Sequence, residues 1–598
     1  MKKVLSLISS CVMAIALVGC SNGTSSTKGV SGEFTGTAKG LGGDVTVTIT
    51  LEDSKITNVV AEGKDETEGI GTKALESMPV AMKEAGSINV DTVATATVTS
   101  NAILEAAKAA IESAGLNPED YMATSTSEPV AAEDVTKDCD VVVVGAGGAG
   151  MTAAITASDA GKSVIIVESQ GVAGGNSVRS TGGMNAAKTV YQDENEFGEE
   201  AGVEKTLKSA EAYTGENEDF VKELTETVKT QWAEYQANPT GYFDSVELFE
   251  LDTMIGGKGI NDPELVKTLV ENSADAIDWL ESIGATLHNV GQFGGAAVKR
   301  IHRPVNDEGK TLAVGSYVVP ILEKNVEDRG IEVMFNTTAN KILTDDNGAA
   351  CGIVAEGKNG ETVTINAKAV ILASGGFGAN NEMVAEQNPQ LDGYITTNAP
   401  GILGQGIKMA QEIGAGTVDM NQIQLHPTVH VAEDGSANLI TEGLRGDGAI
   451  LVNKEGKRFF DEVSTRDKVS AAEHEQTDGM AWMIVDPATL QETIDNWNTC
   501  VENKEDAEFG RTSFANPLEG TFYAITVQPG VHHTMGGLTI DTSAEVLDGV
   551  HGNVIAGLFA AGEITGGVHG ANRLGGNAVA DFTVFGRIAG QSAADYAK

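Results

Sequence analysis

Basic residues are scarce in this chain: 40 Lys and Arg stand against 85 Asp and Glu in 598 residues, a formal net charge of -45. Phosphate backbones need a basic face, so nucleic acid is excluded as a partner. Cysteine is scarcer still, with five in all, and outside the first twenty residues only Cys139, Cys351 and Cys500 remain. They are far apart and form no CxxC pair, which excludes a disulfide framework and a zinc site and leaves no metal centre to expect. CxxCH is also absent, so no c-type haem is attached and electrons must arrive by another route. No apolar run reaches the ~20 residues of a spanning helix. Glycine, in contrast, is plentiful at 72 residues, and its clusters mark places where the backbone approaches a ligand closely. The length suggests several domains, each able to bury its own core.

The segment 1–20 reads as a leader. Lys2 and Lys3 precede an apolar run from Val4 to Val18, and Leu17-Val18-Gly19-Cys20 resembles a bacterial lipobox, in which the signal is cut before the cysteine. A plain cleaved signal peptide is the alternative. The expectation is a lipid on Cys20 and a polar tether over 21–28, placing the protein outside the cytoplasm, anchored to the bacterial cell membrane.

Residues 29–115 form a small α+β domain. Asp44–Thr50 and Ile56–Val60 alternate with period two, as half-buried strands do, and Leu104–Ala114 reads as a closing helix. Between them, Glu66-Thr67-Glu68-Gly69-Ile70-Gly71 and Asp91–Ser100 (DTVATATVTS) resemble the FMN-binding domain of bacterial flavin-transfer proteins. That resemblance implies FMN esterified to Thr97, with Asp91 and Ala96 matching and Ala94 and Thr95 departing from the usual residues. A Val/Thr strand with no cofactor is the bland alternative. An acidic linker is expected over 116–137.

The next domain, 138–420 resumed at 532–598, opens on a dinucleotide fingerprint. The strand Asp140–Val144 runs into Gly145-Ala146-Gly147-Gly148-Ala149-Gly150, then a helix, then Ser163–Val167 and Glu168, 18 residues beyond Gly150. Glycines at Gly145, Gly147 and Gly150 allow a tight turn and bring a pyrophosphate to a helix N-terminus, while Glu168 accepts hydrogen bonds from a ribose. The loop that follows holds Gly174, Gly175, Asn176, Ser177, Thr181, Gly182 and Gly183. It resembles flavin-wrapping loops of glutathione-reductase-like folds, so the dinucleotide is FAD, held non-covalently, rather than NAD. Ile371–Phe377 and the Gly562-Glu563 turn fit the same fold, as does Gly406 in a Gly404-Gln405-Gly406 turn that lacks the usual acidic middle residue.

Two blocks carry the chemistry: His426 with ITEGLRGDGAILVNKEGKRFFDEVSTRDK, which contains Thr441, Glu442, Arg445 and Arg466, and PGVHHTMGG with GGVHGANRLGGNA, which contain His532 and Arg573. Arginines and histidines that share a pocket suit a carboxylate, because guanidinium offers a planar fork to two oxygens. From about Asp138 onward, the chain resembles the flavoprotein subunit family of soluble fumarate reductases, including flavocytochrome c and urocanate reductase relatives. The resemblance implies an α/β architecture: a Rossmann FAD-binding domain, an inserted α+β capping domain over 421–531, and the FMN-binding domain ahead of both. It also places Asn577 and Ala578 at the cofactor. It implies that Arg573 and His532 clamp one carboxylate, and that His426, Thr441 and Glu442 hold the other end. Arg466 then gives the proton, supplied through Glu442 and Arg445.

The implied activity is hydride transfer from FAD to the double bond of a small unsaturated carboxylate, fumarate to succinate, in anaerobic respiration, with electrons from a membrane-associated donor. Urocanate or another enoate is the alternative substrate. A flavin electron carrier without catalysis is a second alternative, though a carrier needs no proton donor. An oxidase or dehydrogenase on the same fold is a third. Blander readings make His533 and His569 structural, His430 solvent-exposed in an inserted loop over 429–438, 194–204 a solvated face, and 491–509 exposed surface despite Trp497.

Overall fold

The computed structural model describes residues 29–598 except 68, 94, 95, 123–132, 433, 434, 436, 447, 484–486, 513, 515, 516 and 519–524; the side chains of 97 and 487–492 are also outside the description. The expected leader, Cys20 and tether therefore lie outside the described residues, as do Ala94, Thr95 and the Thr97 side chain.

The first domain is a three-stranded antiparallel meander, Gly32–Lys39, Asp44–Glu52 and Lys55–Glu62, backed by the helices Gly71–Ala85 and Thr97–Ser113. Alternation in the second strand puts Val45, Val47, Ile49 and Leu51 inside, nearly fully buried. The second helix lies so close to the sheet that a Cβ on Gly36 would stand 2.1 Å from the Ala106 carbonyl. The Asp91–Ser100 motif turns helical at Thr97 rather than continuing as a strand. The stretch 116–137 includes a helical turn, Pro118–Tyr121, and ends inside a strand that starts at Val135 rather than Asp140.

That strand, Val135–Val144, is central to an eight-stranded sheet. It pairs in parallel with Thr362–Leu372 on one side and Val164–Val167 on the other, and Glu332–Met334 follows in parallel. Thr362–Leu372 splits its partners: its first half pairs antiparallel with Ala350–Glu356, its last three residues parallel with Val554–Ala560. Both faces are covered, so Val141 to Val144 read as an unbroken apolar run. Each such buried valine contributes roughly 1.5–3 kcal/mol. The helix Gly148–Asp159 and the C-terminal helix Asn577–Tyr596 cross at Gly586 and Gly590, where small residues permit contact.

A second sheet carries the other half of the site. Its order is Ala437–Leu439, Ile423–Val431, Ile525–Thr534, Ala481–Met483 and Leu451–Val452, all antiparallel, and the helix Arg466–His474 packs on it. Ile525–Thr534 runs through the boundary expected at 531/532, so a single strand delivers His532 from one body to the other. Two readings are corrected here. His430 continues the strand Ile423–Val431, half-buried, with Nδ1 3.0 Å from the Thr526 carbonyl, so 429–438 is not simply a loop. Trp497 is fully buried and stacked by two cations, Arg511 at 4.4 Å and Arg458 at 4.9 Å, which sequence spacing could not reveal.

Candidate active site

One cavity of about 1760 Å³, its open mouth included, runs from the glycine-rich turn to the second sheet. At one end Gly145, Gly147, Glu168, Gly175, Asn176 and Ser177 line it; Thr181, Gly182, Gly183, Gly406, Glu563 and Ala578 continue the wall. The helix Gly148–Asp159 begins here at Gly147, which has no side chain to cap it, and Ser177 Oγ accepts the Gly148 N–H at 3.0 Å. A helix N-terminus facing the cavity favours an anion. Glu168 accepts from the Ala146 N–H at 2.8 Å and the Gln170 N–H at 2.8 Å, which fixes its carboxylate at the rim. Burial pushes its pKa up despite those bonds. Ser374 Oγ, on the same wall, has no protein hydrogen-bond partner. A glycine cradle, a helix N-terminus, a fixed carboxylate and an orphaned hydroxyl together fit a flavin dinucleotide.

Three residues expected at the cofactor stand behind the wall. A Cβ on Gly150 would lie 1.9 Å from the Gly145 carbonyl, so this glycine serves helix–strand packing. Gly174, at φ +115, would meet Val178 at 2.8 Å. Asn577 is buried and pinned by Asn185 Nδ2 at 2.7 Å. Asn398 was missed: its Oδ1 accepts from Asn176 Nδ2 at 2.6 Å, and Asn176 Nδ2 also reaches Glu563 Oε2 at 3.0 Å.

At the other end of the cavity stand His426, Glu442, Arg466, His532 and Arg573. Arg466 Nε and Nη2 donate to Glu442 Oε2 at 2.8 and 2.6 Å, and its Nη1 donates to Gln424 Oε1 at 2.9 Å. Guanidinium has five N–H bonds, so two remain for a ligand. Gln424 Oε1 also accepts from Arg573 Nη2 at 3.2 Å, while Gln424 Nε2 donates to Asn572 Oδ1 and to the Arg573 carbonyl at 2.8 and 2.7 Å. One amide thus spaces the two arginines. Gln424 was not singled out from the sequence, yet on a strand it shares a face with His426 two residues on.

Both histidines are neutral, and His426 is fixed as a donor. His426 Nδ1 accepts the Thr428 backbone N–H at 3.2 Å, which assigns the proton to Nε2. His532 Nδ1 pairs with the Thr397 hydroxyl at 2.8 Å, and the two rings meet edge to face at 5.0 Å. Burial first, then Arg466 and Arg573, hold both imidazoles well below their usual range. Positive charge therefore comes from the arginines. Burial, then Arg466, pushes Arg573 down to about 9, so it is still protonated at neutral pH. Glu442 is fully buried; burial pushes it up, but Arg466, Arg445 and Arg573 outweigh this and keep it below the usual carboxyl range.

Arg445 and Thr441 are near but not in the cavity wall. Arg445 lies behind Glu442, Nη2 to Oε1 3.8 Å, and donates Nη1 to the Glu462 carbonyl at 2.6 Å. Thr441 Oγ1 accepts the Gly443 N–H at 3.2 Å and starts the short helix Gly443–Gly446, while Leu439 takes the wall position. His533 lines the cavity, Nδ1 3.6 Å from Glu563, and His569 Nε2 pairs with Asp581 at 3.1 Å. Among the described residues, no cluster of metal-ligating side chains occurs and no helix is long and apolar enough to cross a membrane.

A dinucleotide cradle joined to a two-arginine, two-histidine pocket defines a flavin-dependent oxidoreductase. Comparison with known proteins is specific: the FAD-binding domain family matches 140–243 and 232–579, and the FMN-binding domain family matches 40–112. A fumarate reductase (cytochrome) of Shewanella frigidimarina is 42% identical over 77% of this chain and 77% of its own. A urocanate reductase of Eggerthella lenta is 34% identical over 97% of this chain and 96% of its own. The open conformation of a flavocytochrome c3 fumarate reductase superposes with a TM-score of 0.58, at 38% identity over 77% of this chain and 79% of that one. The chain belongs to the FAD-dependent fumarate reductase family, and it is an FAD- and FMN-binding enoate reductase-type enzyme.

Proposed function

We propose that this enzyme reduces fumarate to succinate outside the cytoplasm, with Arg466 as proton donor. The observation that carries this reading is the placement of Arg466 and Arg573 on one Gln424 oxygen at the end of the cofactor cavity. Two guanidiniums held at fixed spacing fit a dianion in an otherwise acidic protein, where long-range steering opposes the substrate. Bound FAD supplies the hydride for one carbon of the double bond. Arg573 and His532 hold one carboxylate; His426 Nε2–H holds the other and stabilises charge that builds during addition. Arg466 delivers the proton to the opposite carbon. Guanidinium is a poor acid, with a pKa above about 12, so it needs immediate reprotonation. Glu442, bonded to two of its nitrogens, and Arg445 behind Glu442 are placed for that relay.

A second enoate is favoured by one observation: Leu439 stands in the wall while Thr441 turns to Gly443. That leaves the far end less polar than a dicarboxylate would use best. An anaerobic assay with reduced viologen, comparing fumarate, urocanate, cinnamate and crotonate, decides between them. Fumarate turning over fastest supports the proposal; preference for an enoate with one carboxylate transfers the mechanism to that substrate.

The electron route and location belong to the same proposal. The Glu66–Gly71 motif docks on the helix Val314–Asp328: a Cβ on Gly69 would stand 2.8 Å from Pro320, and Lys73 pairs with Glu323. The same helix abuts the cofactor loop at Gly315, close to Ser177 and Ser180. This contiguity supports electron entry through FMN esterified at Thr97, which starts a 17-residue helix and so would hold a phosphate at its N-terminus. Thr97→Ala is expected to abolish electron input from membranes and spare activity with reduced viologen; equal loss of both counts against the route. Lipid on Cys20 would keep the enzyme by its donor, and Cys20→Ala remaining in the membrane fraction would sink that anchor.

A further inference from the structure

Behind the relay lies a group that the proposed mechanism does not use. The helix Arg466–His474 turns one face to the interior, and Arg466, Ser470 and Glu473 share it at spacings of four and three. Glu473 is fully buried, yet neither carboxyl oxygen has a protein hydrogen-bond partner. Ser470 Oγ between them is likewise buried without one. Next along the chain of contacts from Arg466, Glu442 Oε1 and Arg445 Nε and Nη2 also lack hydrogen-bond partners.

Six orphaned polar atoms in one interior region are unusual, since buried polar groups are normally satisfied by protein or by bound water. They run from the proton donor's partner to the last turn of the helix, where His474, the next residue, is exposed.

Charge sharpens the picture. Arg445 and Glu473 act on each other electrostatically, and Arg445 is the charged group that opposes the rise of the Glu473 pKa. Burial wins and holds Glu473 well above the usual carboxyl range, and with neither oxygen bonded to the protein the uncharged acid is the form this site accommodates. Its position at a helix C-terminus also disfavours the carboxylate. A buried carboxylic acid beside a guanidinium is a proton source next to a group that must be reloaded.

We infer that Glu473 is the proton reservoir of the relay, reloading Arg445 after each turnover and refilling from water at the C-terminal end of its helix. The inference rests on the reading of Arg466, Glu442 and Arg445 as the relay. As the C–H bond forms, one N–H bond of Arg466 breaks. Arg445 passes a proton to the Glu442 carboxylate, which hands it on to Arg466, and Arg445 regains a proton from the Glu473 carboxyl through an intervening water. Glu473 is left as a carboxylate until water returns its proton. No electrons pass along this path. Glu473 touches neither substrate nor cofactor, so it acts as a positioning residue for protons.

The test is made on the flavin-loaded enzyme. Glu473→Gln keeps the shape but cannot release a proton; kcat with fumarate is expected to fall on the order of 10²-fold, with KM changed less than about twofold. Glu473→Asp should recover at least about a tenth of the parental rate by the same argument. A readout independent of activity is the parent-minus-Glu473→Gln infrared difference spectrum at neutral pH, in which the carbonyl stretch of one buried protonated carboxyl is expected. Parental turnover in Glu473→Gln, or no such band in the difference spectrum, overturns the inference. Failure of the underlying reading looks different: Arg466→Ala would then turn over like the parent, whatever Glu473 does.

Discussion

Gln424 holds two cations that would otherwise repel, and its value is geometric. Its Oε1 is the shared acceptor for Arg466 and Arg573, and its amide nitrogen ties back to the loop that presents Arg573. Gln424→Leu removes both functions at similar volume and leaves buried donors unpaired, at about 1–3 kcal/mol for each unsatisfied group. The expected outcome is a fall in kcat/KM of at least about tenfold with full FAD content, read by steady-state kinetics. At this scale the sequence was informative about residue type and poor about role. The residues His426, Glu442, Arg466, His532 and Arg573 meet in one cavity. Thr441 and Arg445 are neighbours whose side chains point elsewhere, which spacing alone cannot tell. Gln424 needed the period-two face of its strand, and Glu473 the period of its helix, to be noticed.

Elements carry the site by close approach. The turn after Val144 needs Gly150 because the helix returns onto the Gly145 carbonyl, leaving 1.9 Å for a Cβ. Gly150→Ala should therefore push the helix from the strand, costing about 1–3 kcal/mol of stability and weakening FAD retention. A lowered melting temperature with flavin lost during gel filtration would verify it. The helix Val246–Gly256 offers a test of opposite sign. Glu250 is buried in it, Oε1 has no protein partner, and burial, outweighing Lys267, pushes its pKa up to about 7.

The folded state thus holds a proton that the unfolded chain releases above about 4.5, so stability falls as pH rises through that window to about 7. Glu250→Gln should stabilise the protein by about 3 kcal/mol at pH 8 and by little at pH 4.5, measured as the shift in denaturant midpoint. The sheet and its glycine turn were legible in sequence because strand, glycines, helix and acid come in register. The strand extension through His430 and the helix start at Thr97 were not, because pairing partners 96 residues away and tertiary packing decide them.

At the scale of the whole molecule, the strand Ile525–Thr534 and the loop to Arg573 connect the two bodies that form the pocket. Two ion pairs stand beside them, Lys258 to Asp467 at 2.9 Å and Lys205 to Asp461 at 3.1 Å. Asp467 is adjacent to Arg466, so separation of the bodies would carry Arg466 and Gln424 together away from Arg573 and open the pocket. Such gating is how a site formed between domains excludes water during reaction. The acidic surface gives no pull on a dianion, and the pocket must bind by its own arginines.

The most direct measurement of that claim is stopped-flow reoxidation of the dithionite-reduced enzyme under anaerobiosis, with fumarate and crotonate compared in the parent and in Arg466→Ala. The account predicts fast reoxidation of the parent by fumarate, slower by crotonate for want of a second carboxylate, and a rate in Arg466→Ala lower by at least about 10²-fold. Reduced enzyme that is fully loaded with FAD and left unchanged by every enoate, or an Arg466→Ala variant as fast as the parent, would contradict it.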